Sequence, residues 1–503
     1  MKLNRFVSRL LVALFSLSLA ALYGCGPGGE YSDSATTRGT DTGVLELSDA
    51  ELEDLVRRSY QYVAMFNVNN KFALDVESPM NTGGYNRVLV NTALADHRVQ
   101  SIARPNNDTL YAGAMVDVTE EPMVLMLPAF DSIYVSLMVT AYDHYVNIPM
   151  STARGGFAEP AAILFYSERT PGFDGAPVEG VDVVHELTGD FASAVIRVMP
   201  HSAEPDRLQV NLAAMQTIDV VPLAEFLGTA DLGSGFVPWG SPAGINRSLT
   251  LKEDLARFPE FGSDFEIFED RFLEVMQFVF NHTTFDEADP VDQALLMAFE
   301  PLGVMPGKAW DSDTAVKVDG AQLRAKAQEI ARESLANMAD PGFIAANILK
   351  LFQPKGAMEL EFLTFQSIVG PIGQPAQEAV YPPVVTSDGA PMNAMFDYEI
   401  VMAPEEMPPA NAFWSTTLYD NANGFFIPND RFKYSVGENA GFQPDEDGGI
   451  RIVIAAEKPE GVPEENWLPI NRGDIDIDII MRLYSPDLDR FANWTPPKAV
   501  RLE

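Results

Sequence analysis

Short apolar runs cut by turn residues fill two stretches of the chain, and helical spacing fills a third. Between about 87 and 200, Met123-Val124-Leu125-Met126-Leu127, residues 134–139, residues 161–166 and Ala194-Val195-Ile196-Arg197-Val198 follow one another, separated by Gly, Pro and Asp. Runs this short and close, with no helix between them, predict antiparallel strands in a sandwich or barrel. From about 204 to 350 the period lengthens. Phe265, Phe268, Phe272, Val275, Val279 and Phe280 mark one helix; Leu323, Ala327, Ile330, Ala331 and Met338 mark another, which stops at Pro341-Gly342. Such aromatic stripes line lipid or cofactor grooves in some proteins, but the expectation here is a packed core. Strands return after about 386, at 413–419 and at 450–454, the latter behind the turn Asp447-Gly448-Gly449. Asp474-Ile475-Asp476-Ile477-Asp478-Ile479 alternates strictly, so its aspartates share one face of a strand and its isoleucines the other.

The start of the chain reads differently. Lys2, Arg5 and Arg9 precede an apolar run from Leu10 to Leu22, which ends in Leu22-Tyr23-Gly24-Cys25. A charged segment, a short apolar core and a small residue before the cut make a secretory signal. The run, about a dozen residues, is too short for a membrane-spanning helix. Cys25 is the single cysteine of the chain. Its place after Gly24 resembles a bacterial lipobox, although Tyr23 is larger than usual there. The expectation is a lipid anchor at Cys25. Gly26 follows where an inner-membrane retention signal often has Asp, which favours the outer membrane. Residues 26–46 hold little to bury and read as a flexible tether. Ser48-Asp49-Ala50-Glu51 is a capping box, and Leu52, Leu55, Val56, Tyr60 and Val63 follow at helical spacing.

Charge narrows the partners. The chain carries 34 basic and 72 acidic residues, a net −38. Loss of the signal leaves 31 basic against 72 acidic, a net −41. Such a surface gains nothing from nucleic acid or anionic lipid heads. One cysteine excludes internal disulfides, so stability rests on packing, which 47% hydrophobic residues permit. A homo-oligomer is compatible with these numbers.

Familiar catalytic signatures are missing: there is no H-E-x-x-H, C-x-x-C or G-x-S-x-G. The segment from Gly303 to Lys308 is one residue short of a phosphate loop and ends before Ala309, so it reads as a turn. Asp474, Asp476 and Asp478 lack the glycine and distal glutamate of a calcium loop. The five histidines are scattered, and neither a metal nor a cofactor is expected.

Two segments stand out by polar density. One is Arg104-Pro105-Asn106-Asn107-Asp108-Thr109-Leu110-Tyr111; the other is Tyr142-Asp143-His144-Tyr145-Val146-Asn147. At strand spacing Asp143, Tyr145 and Asn147 share a face. If the two segments meet, Asp108 and Asp143 form a carboxylate pair able to act as general acid and base. Asn106, Tyr111, Tyr145 and Asn147 then position a substrate. Ordinary turn chemistry accounts for the same residues, because Asn and Asp bond their own backbone in loops.

The first segment, Glu121-Pro122 and the second segment together resemble the bacterial domain-of-unknown-function family 1254. Residues 413–420, Asn466-Trp467-Leu468-Pro469, Arg482-Leu483-Tyr484-Ser485-Pro486 and Trp494-Thr495-Pro496-Pro497 resemble the partner family 1214, and residues 302–308 fit the stretch between. The resemblance implies two β-rich domains around a helical region and no established reaction. The chain departs from the pattern at His144 and in its acidic 473–479 strand. The expected architecture is α+β, mainly β: two antiparallel β-sandwich or jelly-roll-like domains joined by helices. The divisions are 1–25 signal, 26–46 tether, 47–203 N-terminal domain, 204–385 helical region and 386–503 C-terminal domain. Two functions stay open. One is a hydrolase or lyase acting on a small or polymeric envelope substrate through paired carboxylates. The other is a non-catalytic binding or assembly protein of the envelope.

Overall fold

The computed structural model describes residues 43–78, 80–100, 104–230 and 255–502. The signal segment, Cys25 and most of the expected tether lie outside them. The end of that tether is not free chain: β1 (Val44–Leu45) is a half-buried strand, because two apolar residues find a partner edge in the helical region. Ser48 then caps the helix Asp49–Leu74. Its hydroxyl accepts the Glu51 amide at 3.3 Å, and the Glu51 carboxylate accepts the Ser48 amide at 2.7 Å.

The N-terminal sheets use β2 (Arg87–Asn91), β3 (Leu110–Asp117), β4 (Met123–Leu127), β5 (Val135–Ala141), β6 (Val146–Ser151), β7 (Ala161–Tyr166), β8 (Val183–Glu186), β9 (Phe191–Val198) and β10 (Asp219–Pro222). Among the described residues, one sheet runs β2-β3-β9-β5-β6 and the other β10-β4-β7-β8. All pairs are antiparallel except β7 with β8. Alternation decides the faces. Leu110, Ala112, Ala114 and Val116 of β3 meet Met123, Leu125 and Leu127 of β4 in one core, so the two sheets form a sandwich. Tyr111 of β3 and Arg197 of β9 are left on the opposite face.

Helices form a second layer. Phe272–Asn281, Pro290–Phe299, Gly320–Met338 and Leu360–Val369 surround Asp49–Leu74. Val63, Phe66, Phe268, Phe272, Val275 and Phe280 share their core, so the aromatic stripe is packing. Here β11 (Lys317–Val318) takes β1 as a parallel partner. Residues 303–308 form a turn closed by Lys308 Nζ on the Gly303 carbonyl, 2.7 Å away.

The C-terminal sheets use β12 (Ala379–Val380), β13 (Pro383–Val384), β14 (Met392–Asn393), β15 (Tyr398–Met402), β16 (Ala410–Asp420), β17 (Ser435–Gly437), β18 (Ile450–Ala455), β19 (Trp467–Pro469), β20 (Asp476–Pro486) and β21 (Ala499–Arg501). One sheet is β12-β20-β16-β17, with β13 and β14 also on β20; the other is β19-β18-β15-β21. Ile477 and Ile479 of β20 are buried with Ile450, Ile452 and Ile454 of β18, which makes a second sandwich. The architecture is α+β with sheet-rich domains and, among the described residues, no barrel. This is the expected fold class, with 30% helix and 25% strand, and the helices gather around Asp49–Leu74.

Among the described residues, no helix is long and apolar enough to cross a membrane, and no group of three or more His, Cys, Asp or Glu is placed to hold a metal ion.

Candidate functional site

Strand register lines up a polar row across the N-terminal sheet. Asn91 of β2 lies opposite Tyr111 of β3, Tyr111 opposite Arg197 of β9, Arg197 opposite Ser136 of β5, and Ser136 opposite Ser151 of β6. Five side chains far apart in sequence thus share one face, the face turned from the sandwich core. The chain from 371 to 384 covers it. Gln374 donates to Ser136 Oγ at 2.5 Å and accepts from the Tyr134 hydroxyl at 2.5 Å. Ser151 donates to Glu378 at 2.7 Å, and Arg154 lies 3.6 Å from the same carboxylate.

The loop before β3 docks on the C-terminal sheet. Asp108 is fully buried. A buried carboxylate needs several donors, and the C-terminal domain supplies them. Ser415 of β16 donates to Oδ2 at 2.6 Å and Tyr484 of β20 at 3.0 Å, while Asn439 reaches Oδ1 at 3.3 Å. Arg482 of β20 adds its charge at 3.8 Å. Asn106 completes the turn: its Oδ1 accepts the Asp108 amide at 2.6 Å, and its Nδ2 donates to the Tyr484 hydroxyl at 2.7 Å. Arg482 also donates to Thr417 at 2.9 Å, to the Tyr419 hydroxyl at 2.5 Å and to the Arg104 carbonyl at 3.2 Å. Tyr484 stacks on Phe413 with centroids 4.1 Å apart and lies 4.9 Å from Tyr134, which joins the docked loop to the polar row. Arg104 and Ser485 border this junction with left-handed backbone, φ 53° and 48°. Such strain persists where the surroundings over-determine it.

Arg197 is the unusual member. It is 3% exposed. Its guanidinium sits over the Tyr111 ring at 5.3 Å and reaches the Ile372 carbonyl at a long 3.5 Å. Nε has no hydrogen-bond partner, and no carboxylate of the described residues pairs with it. Burial works against its charge, while Tyr111, Tyr381, Tyr484 and Tyr134 work for it and leave the pKa raised. The Tyr381 hydroxyl, also buried, lies against the Gln374 backbone amide, but its own proton finds no acceptor. Burial pushes Tyr381 and Tyr484 above the usual phenol range.

Asp143 lies elsewhere. The register puts the Asp108 loop beside the Val135 end of β5, whereas Asp143 follows the Ala141 end. About 20 Å of strand separates those ends. The two carboxylates share no partner, so the expected pair does not form. Asp143 is fully buried, with the Thr188 hydroxyl and the Tyr145 amide beside its carboxylate. Burial pushes its pKa up to about 6, with Lys355 and the Thr188 hydroxyl opposing. Lys355 itself is held by Asp292 at 2.5 Å. His144, next in the chain, adopts left-handed backbone at φ 61° inside the β5–β6 turn. The expected strand alternation from Asp143 to Asn147 therefore breaks. Tyr145 is buried on the Asp143 side. Asn147 lines a separate groove of about 440 Å³ with Arg154, His185, Gln353 and Gln377. Asn106 and Tyr111 do belong to the junction.

Sequence reasoning missed Arg197, Arg482, Ser415, Asn439 and Tyr381. One signal was present for the arginines: each interrupts an otherwise apolar strand run.

Residues 85–218 match the model described as protein of unknown function (DUF1254), and residues 378–488 match that described as protein of unknown function (DUF1214). The DUF1254 match supplies Asn106, Asp108, Tyr111 and Arg197 to the junction; the DUF1214 match supplies Tyr381, Ser415, Arg482 and Tyr484. The crystal structure of the VPA0106 protein from Vibrio parahaemolyticus has the same fold, with a TM-score of 0.61 at 20% identity over 90% of this chain and 100% of that one. An uncharacterised protein from Burkholderia cenocepacia gives a TM-score of 0.39 at 11% identity over 90% and 93% of the two chains. No curated protein matches.

Proposed function

We propose that this is a lipid-anchored protein of the cell envelope that binds a small-molecule or polymeric envelope ligand where its DUF1254 and DUF1214 domains meet. One observation carries the reading: the junction is polar, buried and incompletely paired. A contact made only for cohesion is as stable or more stable when built from apolar side chains. Ligand sites concentrate at domain interfaces. The groove beside Arg154 and Asn147 adjoins the same covering segment and gives a longer ligand room to continue. A thermal-shift screen of envelope sugars, peptides and organic acids, followed by hydrogen exchange, tests it. Protection confined to 104–111, 371–384 and 480–485 supports the reading; protection only elsewhere contradicts it.

The anchor rests on Cys25 after Gly24, and Gly26 favours the outer membrane. Diacylglycerol on Cys25 by mass spectrometry of the mature protein, and release of a Cys25→Ser variant from membranes, are the expected results. Unmodified Cys25 in membrane-bound protein contradicts it.

A hydrolase or lyase is the second reading, and Asp143 favours it. A buried carboxyl with a pKa of about 6 is poised as a general base near neutral pH. It would act without Asp108. Turnover of an ester, glycoside or phosphate that Asp143→Asn abolishes and Asp108→Asn spares supports this second reading.

A further inference from the structure

We infer that Arg197 and Tyr381 hold the carboxylate group of a singly charged organic anion. The inference rests on the junction reading above and names the ligand class for that site. A buried guanidinium without a counter-ion is costly, and native structures pair such groups. Arg197 has no pairing carboxylate among the described residues, and its Nε–H has no acceptor. The Tyr381 O–H, electrostatically coupled to the same guanidinium, also lacks one. Both orphans are donors, so the missing group is an acceptor. The other buried guanidinium of the junction, Arg482, is already engaged by Thr417, Tyr419 and Asp108. Tyr111 and Tyr381 are half-buried as residues, while the Tyr381 hydroxyl and Arg197 Nε themselves are shut off from solvent.

Charge and shape select the anion. One unpaired guanidinium balances one negative charge. Phosphate, which carries more than one at neutral pH, would leave an excess buried. The net charge of −38 also repels multiply charged ligands. A carboxylate is planar and matches the edge of a guanidinium, with a phenol free to donate to its second oxygen.

The test is calorimetry and thermal unfolding of the mature protein with sodium benzoate and sodium acetate, at constant ionic strength. Benzamide serves as the neutral isostere, and inorganic phosphate as the multiply charged control. The expected result is saturable one-to-one carboxylate binding, a rise in melting temperature, and no response to benzamide. Tyr381→Phe removes a hydroxyl whose proton has no acceptor and whose one neighbour is the Gln374 amide, so it should fold and bind about 10- to 100-fold more weakly. Equal binding by Tyr381→Phe, or no response to either carboxylate, overturns the inference. Phosphate or a neutral ligand that protects 104–111 and 480–485 from exchange would end the carboxylate assignment and keep the junction reading. Absence of any such ligand would end both.

Discussion

Asp108, in the loop before β3, accepts the Ser415 hydroxyl of β16 at 2.6 Å, across 307 residues of sequence. The two domains are locked by this carboxylate, which is fully buried and reached by donors from β16, β20 and Asn439.

Removal of one donor should therefore cost less than removal of the acceptor. Ser415→Ala should lower unfolding free energy by about 1–3 kcal/mol. Asp108→Ala strands Arg482 and three polar groups, and should cost about 3–5 kcal/mol. Urea unfolding of both variants checks the order; equal, small losses would mean that water replaces the carboxylate readily.

Asp143 gives a pH signature. Its folded pKa, about 6, lies above its ordinary 3.8. A raised carboxyl pKa means that the fold prefers the protonated form. The stabilisation is full below about pH 4 and lost as pH rises through about 6. Two units correspond to roughly 3 kcal/mol. Asp143→Asn should remove that dependence and be more stable than wild type at pH 7.5, with the two converging near pH 4. Loss of stability at pH 7.5 would show that ionised Asp143 is held by Lys355.

The helix cap is a local test. Ser48 and Glu51 satisfy each other's amides at the start of the helix around which the helical layer packs. Ser48→Ala should cost about 0.5–2 kcal/mol, seen as a lower denaturation midpoint. No change would mean that the first turn is frayed in solution.

Acidity should make stability depend on salt. Screening lengths fall from about 10 Å at 0.1 M to about 3 Å at 1 M. With a net −38, self-repulsion should ease and the melting temperature should rise over that range of sodium chloride. A flat curve would mean that the charges are already paired.

Local signals made much of the fold legible. The capping box fixed the start at Asp49, and the runs 123–127 and 161–166 are the bounds of β4 and β7. Each is decided by neighbours in sequence. The site was not legible in that way. Tyr111, Arg197, Ser136 and Ser151 share a face only because strand register brings them together. Asn106 and Tyr484 meet across 378 residues. The same blindness paired Asp108 with Asp143: both segments are rich in polar residues, but opposite ends of β5 receive them. The left-handed turn at His144 then broke the alternation that had aligned Asp143 with Asn147.

If the junction gives up stability to keep a cation for a ligand, Arg197→Met should reveal it. Methionine keeps much of the volume and removes the unpaired buried charge. The unliganded variant should unfold with a free energy within about 1 kcal/mol of wild type, or higher by about 1–4 kcal/mol. A loss of about 3 kcal/mol or more, the usual cost of breaking a compensated buried charge, would contradict it and make Arg197 a structural residue.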